Sequence, residues 1–264
     1  MQTYETIKLD ATPAGVAIVT LNRPEKHNAF NAQVVSELAD AFDNLRAETQ
    51  LRMVILRGNG KSFSAGADLQ WMQAAEDYSK AENEEDAYAL AEMLRALYEL
   101  PQMTLALVQG ACMGGGAGLV AACDVAVAMT SATFRFSEVR LGLTPATISP
   151  FVIEAIGPRA AKALFVTGES FDAAYAEKTG LIQYVVENET ELASMEEHLS
   201  KLMFDTAPGA VADAKKLVHD VTGSTITKVL SHETAKRIAA RRVSEEGKEG
   251  LAAFLEKRKP SWVD

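Results

Sequence analysis

Two stretches of small residues carry the most chemical promise: Ser64-Ala65-Gly66-Ala67-Asp68 and Met113-Gly114-Gly115-Gly116-Ala117. Each follows a segment that reads as a strand. Small side chains let the carbonyl of a ligand come close to main-chain N–H groups. The second stretch opens a helical pattern. Its first N–H groups therefore lack intrahelical partners, and the helix dipole favours negative charge there. Two such N–H groups can hold an enolate oxygen, and one donor of this kind contributes ~3 kcal/mol in a desolvated site. A competing account is that the glycines only let strand and helix pack closely. Each turn alone fits either account.

Other motifs lead nowhere. Gly60-Lys61-Ser62 resembles the end of a phosphate-binding loop, but Ile55 stands where that loop needs glycine. Gly116 to Ala121 fits a dinucleotide fingerprint, yet the strand after it runs into Met129-Thr130 without the acid that would hold a ribose. His27, His198, His219 and His232 form no close pair, and no serine sits in a nucleophile elbow. Cys112 and Cys123 read as buried reduced thiols. No metal site and no cofactor site is expected.

Composition sets wider bounds. The chain has 264 residues, 48 % of them hydrophobic and 23 % charged, enough for one large domain or a domain with a helical appendage. A net charge of −10 argues against nucleic acid as a partner. The N-terminus lacks a signal-peptide pattern, and no run of 18 apolar residues occurs. A cytoplasmic protein with no membrane contact is expected. The basic residues of the tail, Lys236, Arg237, Arg241, Arg242, Lys248, Lys257, Arg258 and Lys259, read mostly as a solvated helix face.

The elements that must position the two turns alternate between β and α. Strands are expected at 15–21, 53–56, 104–108, 124–128 and 134–136, and helices at 32–48 and 87–99. The acidic stretch from Ala74 to Asp86 has weak periodicity and reads as a mobile loop or a fraying helix start. From about Thr147 the pattern is nearly all helical. An α/β core followed by a helical region is the simplest architecture.

Taken together, the segments resemble a known family. Asn22 to Ala29, Phe63 to Leu69, Gln109 to Gly116, Cys123-Asp124, Phe136 to Leu143 and Phe254 to Arg258 are similar, in order, to the signature segments of the crotonase (enoyl-CoA hydratase/isomerase) superfamily. The resemblance implies an α/β fold, a crotonase-type spiral of ββα units with a C-terminal helical trimerisation region. On that reading residues 1–200 form the core with the acyl-CoA site. Residues 201–264 form the helical part that mediates oligomerisation and closes the CoA pocket. A homotrimer or a dimer of trimers is implied, with CoA entering as part of the substrate. The N–H groups of Ala67 and Gly115 would be the oxyanion donors. Lys26, Ala65, Asp68 and Leu69 would line the CoA channel. Phe254 and Lys257 would approach the CoA of a nearby subunit.

The chain also departs from the family pattern. Two-carboxylate hydratases carry one glutamate three residues after the oxyanion glycine and a second about twenty residues later. Here the first position is Gly118 and the second is Glu138. Glu138 is the implied general base, although it could instead be an exposed acid paired with Arg140 or Arg135. Gly118 is expected to leave room for a branch near C2–C3. The segment Ser137 to Phe151 resembles a subgroup of bacterial hydratases acting on branched glutaconyl-CoA substrates, including 3-methylglutaconyl-CoA hydratases of leucine breakdown. Arg140 or Arg135 could then answer a distal carboxylate of the substrate. An enoyl-CoA isomerase needs only one carboxyl and is the chief rival. A non-catalytic CoA-binding homologue is the third reading.

Overall fold

The computed structural model describes residues 3–263. Six strands form the main sheet: β1 (Ile7–Ala11), β2 (Val16–Leu21), β3 (Met53–Gly58), β4 (Met103–Val108), β6 (Val125–Met129) and β9 (Tyr184–Val186), in that spatial order. β1 and β2 are an antiparallel hairpin, and every later pairing in this sheet is parallel. A second, smaller sheet holds β5 (Ala111–Met113), β7 (Thr133–Arg135) and β8 (Ser170–Asp172). Parallel strands need covered faces, and the apolar runs of β3 and β4 supply both. Alternate residues divide between two cores. Met53, Ile55, Leu105 and Leu107 face α7 (Glu189–Phe204), which contributes Leu199 and Met203. Val54, Leu56, Ala106 and Val108 join the larger core with α1 (Ala32–Ala47), α3 (Lys80–Tyr98) and α4 (Gly115–Ala122).

The acidic stretch, open between a mobile loop and a helix start, takes the second form. It contains the end of α2 (Leu69–Ala74), a single 3-10 turn over Ala75–Asp77, and the first turns of α3. Its outer residues are solvated acids, so no apolar stripe marks the helix. The start is fixed by a reciprocal cap: Ser79 Oγ accepts from the Glu82 N–H, and the Glu82 carboxylate accepts from the Ser79 N–H.

The remaining helices are α5 (Ser149–Thr167), α6 (Ala173–Thr179), α8 (Pro208–Val221), α9 (Lys228–Val243) and α10 (Glu245–Glu256). α5 breaks at Gly157, whose φ of 73° interrupts the helix just before Pro158. α8 docks on the base of the core. There Lys215 Nζ reaches the Asp124 carboxylate at 2.7 Å and the Gln102 carbonyl at 2.8 Å, and His219 stacks on Tyr98. α9 buries none of its residues. The tail cations are less free than their spacing suggests. Lys236 pairs with Glu233, Arg237 with Asp220, Arg241 with Asp213 and Glu246, and Arg258 with Glu249 and Glu256. No helix among the described residues is long and apolar enough to cross a membrane.

Candidate active site

The Ala67 turn is held from below by the segment after β2. His27 and Asn28 both have positive φ, a sharp bend that needs outside support. Asn28 provides it. Its buried amide donates to the Asn59 and Ser62 carbonyls, and its Oδ1 accepts from the Arg23 N–H. Phe30 then pairs with the turn as a parallel bridge. The Phe30 N–H donates to the Gly66 carbonyl at 2.7 Å, and the Asp68 N–H donates to the Phe30 carbonyl at 2.7 Å. In such a bridge the flanking residues are engaged, and Ala67 turns its own N–H away from Phe30. Ala65, Ala67 and Leu69 are exposed, while Gly66 and Asp68 are buried. The alternation places Ala65, Ala67 and Leu69 on the open side.

The Gly115 turn lies against the Ala67 turn. Ser64 bridges to Cys112, and a Cβ built on Gly114 would come 3.9 Å from Gly66 Cα. Gly114 has φ 47° and ψ −117°, so it is a glycine by conformational need. Its N–H is engaged with the Arg135 carbonyl. Gly115 is the first residue of α4, and its N–H has no acceptor within the helix. A Cβ on Gly115 would meet the Phe30 ring at 3.1 Å. Phe30 therefore underlies both turns.

Glu138 completes the group. It opens a 3-10 turn over Glu138–Leu141. Its Oε1 would lie 3.4 Å from a Cβ on Gly114, next to the first N–H of α4. Its Oε2 is buried with no hydrogen-bond partner. Burial pushes its carboxyl pKa above the ordinary value. A buried carboxyl oxygen without a hydrogen-bond partner is costly to an isolated chain. Glu138 makes no ion pair with Arg140 or Arg135.

That geometry meets likenesses of three kinds, to a family model, to solved structures and to a relative in sequence. The family model described as enoyl-CoA hydratase/isomerase matches residues 11–264. The chain belongs to the enoyl-CoA hydratase/isomerase family. A solved Shewanella pealeana enoyl-CoA hydratase is 38 % identical, covers 98 % of this chain and 96 % of its own, and superposes with a TM-score of 0.94. A Legionella pneumophila protein assigned as an enoyl-CoA hydratase/isomerase (crotonase) is 44 % identical, with coverage of 98 % and 100 % and a TM-score of 0.92. The mevalonyl-coenzyme A hydratase sidH of Aspergillus fumigatus is 31 % identical over 249 residues, covering 94 % of this chain and 91 % of its own. The mixed α/β architecture is thus the crotonase fold.

Other residues singled out in the sequence fare differently in this family member. Lys26 is exposed in the short turn Pro24–Lys26, and Leu69 projects into solvent at 77 % exposure. Asp68 borders a shallow cavity with Asn31, Gln33, Gln70 and Trp71, and its carboxylate is already engaged within the chain. It is buried, pairs with Arg23 at 2.8 Å and caps α2 by accepting from the Gln70 N–H. Arg135 and Arg140 are both tied by Nε to the Gly168 carbonyl, at 2.7 and 2.8 Å. That carbonyl lies at the C-terminal, negative end of α5. The room expected at Gly118 is absent, because a Cβ there would fall 2.5 Å from Ile148 Cγ2. Phe254 and Lys257 are exposed at the end of α10, which packs on α9.

Asn28, Phe30 and the Arg23–Asp68 pair escaped the reading of single residues. Arg23 and Asn28 lie in the Asn22-to-Ala29 segment and Asp68 in the Phe63-to-Leu69 segment, whereas Phe30 lies just outside both. A cavity of about 890 Å³ lies elsewhere, between the β1–β2 hairpin, the end of α1 and Trp262.

Proposed function

We propose that the protein hydrates the 2,3 double bond of an enoyl-CoA, with a branched acyl group bearing a distal carboxylate, of the 3-methylglutaconyl type, as its preferred substrate. The observation that carries this reading is the Glu138 carboxyl, with its buried Oε2 unpartnered, beside two turns with outward N–H groups. The thioester oxygen sits between the N–H groups of Ala67 and Gly115. As water adds at C3, charge moves onto that oxygen, and fixed dipoles in a dry site stabilise it. Glu138 takes a proton from the water, whose oxygen bonds to C3. The same carboxyl, now protonated, returns a proton to C2. One molecule of water is consumed, and no oxidant, metal or further cofactor takes part. CoA is part of the substrate. The branch is supported by the Aspergillus relative, named for a mevalonyl-CoA, an acyl group branched at C3. The distal carboxylate is supported by Arg135 and Arg140, whose Nη ends remain for a ligand once Nε has bonded Gly168.

A double-bond isomerase is the second reading, because one carboxyl is enough to carry a proton between two carbons. Turnover in ¹⁸O-water separates the two. Label at C3 of the product supports hydration, and double-bond migration without label overturns it. The substrate is tested by comparing kcat/KM for 3-methylglutaconyl-CoA and crotonyl-CoA. A higher value for crotonyl-CoA overturns the branched-diacid assignment. We further propose that the active form is a trimer or a dimer of trimers, supported by the apolar residues that α9 and α10 leave exposed, among them Val229, Ile238 and Phe254.

A further inference from the structure

Position 118 is the place in α4 where a side chain is missing, and the structure shows what took its room. Gly118 lies one helical turn after Gly114, whose carbonyl accepts its N–H. A Cβ at 118 would come 2.5 Å from Ile148 Cγ2, 3.1 Å from Ile148 Cβ and 3.5 Å from Leu94 Cδ1. The first of these is closer than carbon atoms of two separate residues approach when no bond path joins them. Ile148 cannot easily move aside. It is 1 % exposed and stands at the start of α5, where its carbonyl accepts the Val152 N–H. The turn before it is closed by Ser149, whose N–H and Oγ both donate to the Ala146 carbonyl. Pro150 then stiffens the first turn of the helix. Leu94 of α3 closes the other side and is fully buried.

We propose that Ile148 is the positioning residue that keeps this a one-carboxylate site. It fills the volume that any side chain at position 118 would need. A side chain at position 118 therefore needs a smaller residue at position 148. About one turn of helix, ~5 Å, separates this aliphatic plug from the Glu138 carboxyl at Gly114. The plug keeps a second acid, or the water it would hold, out of the side of the site beyond Gly114, and Glu138 must carry every proton. This reading of the chemistry rests on the hydratase function proposed above. The packing claim does not.

The test is a double-mutant cycle on the full chain. In the wild-type background Gly118→Ala should lower the melting temperature by roughly 3–8 °C, because it overpacks the site. In the Ile148→Ala background the same change should leave the melting temperature unchanged or raise it, since alanine is the better helix former. An equal drop in both backgrounds would overturn the coupling. The chemical half is read from Gly118→Glu/Ile148→Ala against Ile148→Ala. Crotonyl-CoA hydration should rise at least tenfold, and the pH profile of kcat/KM should gain a second ionisation. Two identical profiles from folded proteins would overturn that half. If wild type hydrates no enoyl-CoA, the hydratase reading fails by itself, and the melting cycle still decides the packing claim.

Discussion

The two glycine turns and the C-terminal helices are built on opposite plans. The turns are held from several sides. Phe30 bonds Gly66 and Asp68 and lies under Gly115, Asn28 staples the segment beneath, and Arg23 locks Asp68. α9 and α10 are the reverse. α9 buries no residue, α10 buries only Ala253, and Phe254, Leu255 and Val229 are more than 70 % exposed. A site that must hold two N–H groups against one oxygen needs rigid support, and the chain supplies it within itself. A surface that exposes large apolar side chains is finished only by something else. On the function proposed above, the proton transfer would belong to one chain and the C-terminal helices would act through association.

The largest expected effect lies on the rigid side. Glu138→Gln keeps size and removes the base, so kcat should fall by ~10²–10⁴-fold while acyl-CoA still binds. A variant within threefold of wild type would remove Glu138 from the mechanism. The acid limb of the kcat/KM profile should also sit above the ordinary glutamate value. Burial raises the Glu138 pKa, and only the ionised form can take a proton from water. Hence activity rises with pH through that raised value.

Next comes Gly115→Pro. The residue is the first of α4, where proline fits the backbone, so the variant removes an N–H with little distortion of the helix. The added ring does press on Phe30. Gly115→Ala adds a Cβ there and keeps the N–H, and serves as the control. Gly115→Pro should lose ~10²-fold or more beyond the control. Equal activity in the two variants would show that this N–H is not a donor.

The difference between the two regions also explains how far the sequence could be read. Strands β2, β3, β4 and β6 and helix α1 declared themselves through apolar runs and stripes, because their partners lie inside the chain. The glycine turns declared a possible oxyanion site through composition, and the resemblance pointed to Ala67, Gly115 and Glu138. The start of α3 stayed open between loop and helix, since its signal is a cap and not a stripe. Ile148 was hidden, because a tight fit between residues thirty apart has no period to detect. The structural partners of Asp68 were hidden as well, because nothing in the spacing of Arg23 and Asp68, forty-five residues apart, announces their pairing.

Breaking the Arg23–Asp68 pair tests the support of the rigid region. Asp68→Ala should cost about 3 kcal/mol in denaturant unfolding, since it leaves Arg23 half-buried without a counter-charge. The Gln70 N–H, and then Arg23, hold the Asp68 pKa below the ordinary aspartate value. For a carboxylate with a lowered folded pKa, the stability gained is present above the unfolded pKa of ~4 and lost as pH falls through the folded pKa. The gap between wild type and Asp68→Asn should therefore close below about pH 4. A gap independent of pH would mean that the Asp68 charge does not support the turn.

The smallest expected effect is on the C-terminal side, where it sharpens the contrast most. If Phe254 and Lys257 serve the CoA of a neighbouring subunit, they act on binding and not on the chemical step. Phe254→Ala and Lys257→Ala should each raise KM by roughly three- to tenfold, about the loss of one apolar or charged contact, with kcat nearly unchanged. Raised salt should weaken the Lys257 effect and leave the Phe254 effect in place, because only the first is electrostatic. Charge placed on the exposed face of α9, as in Val229→Asp/Ile238→Asp, should disperse the oligomer and raise KM in the same way. Light scattering and kinetics on the same samples then make the decisive comparison. A dispersed protein with an unchanged KM would show that each chain completes its own CoA site, and the division between a self-sufficient site and a shared C-terminal surface would fall.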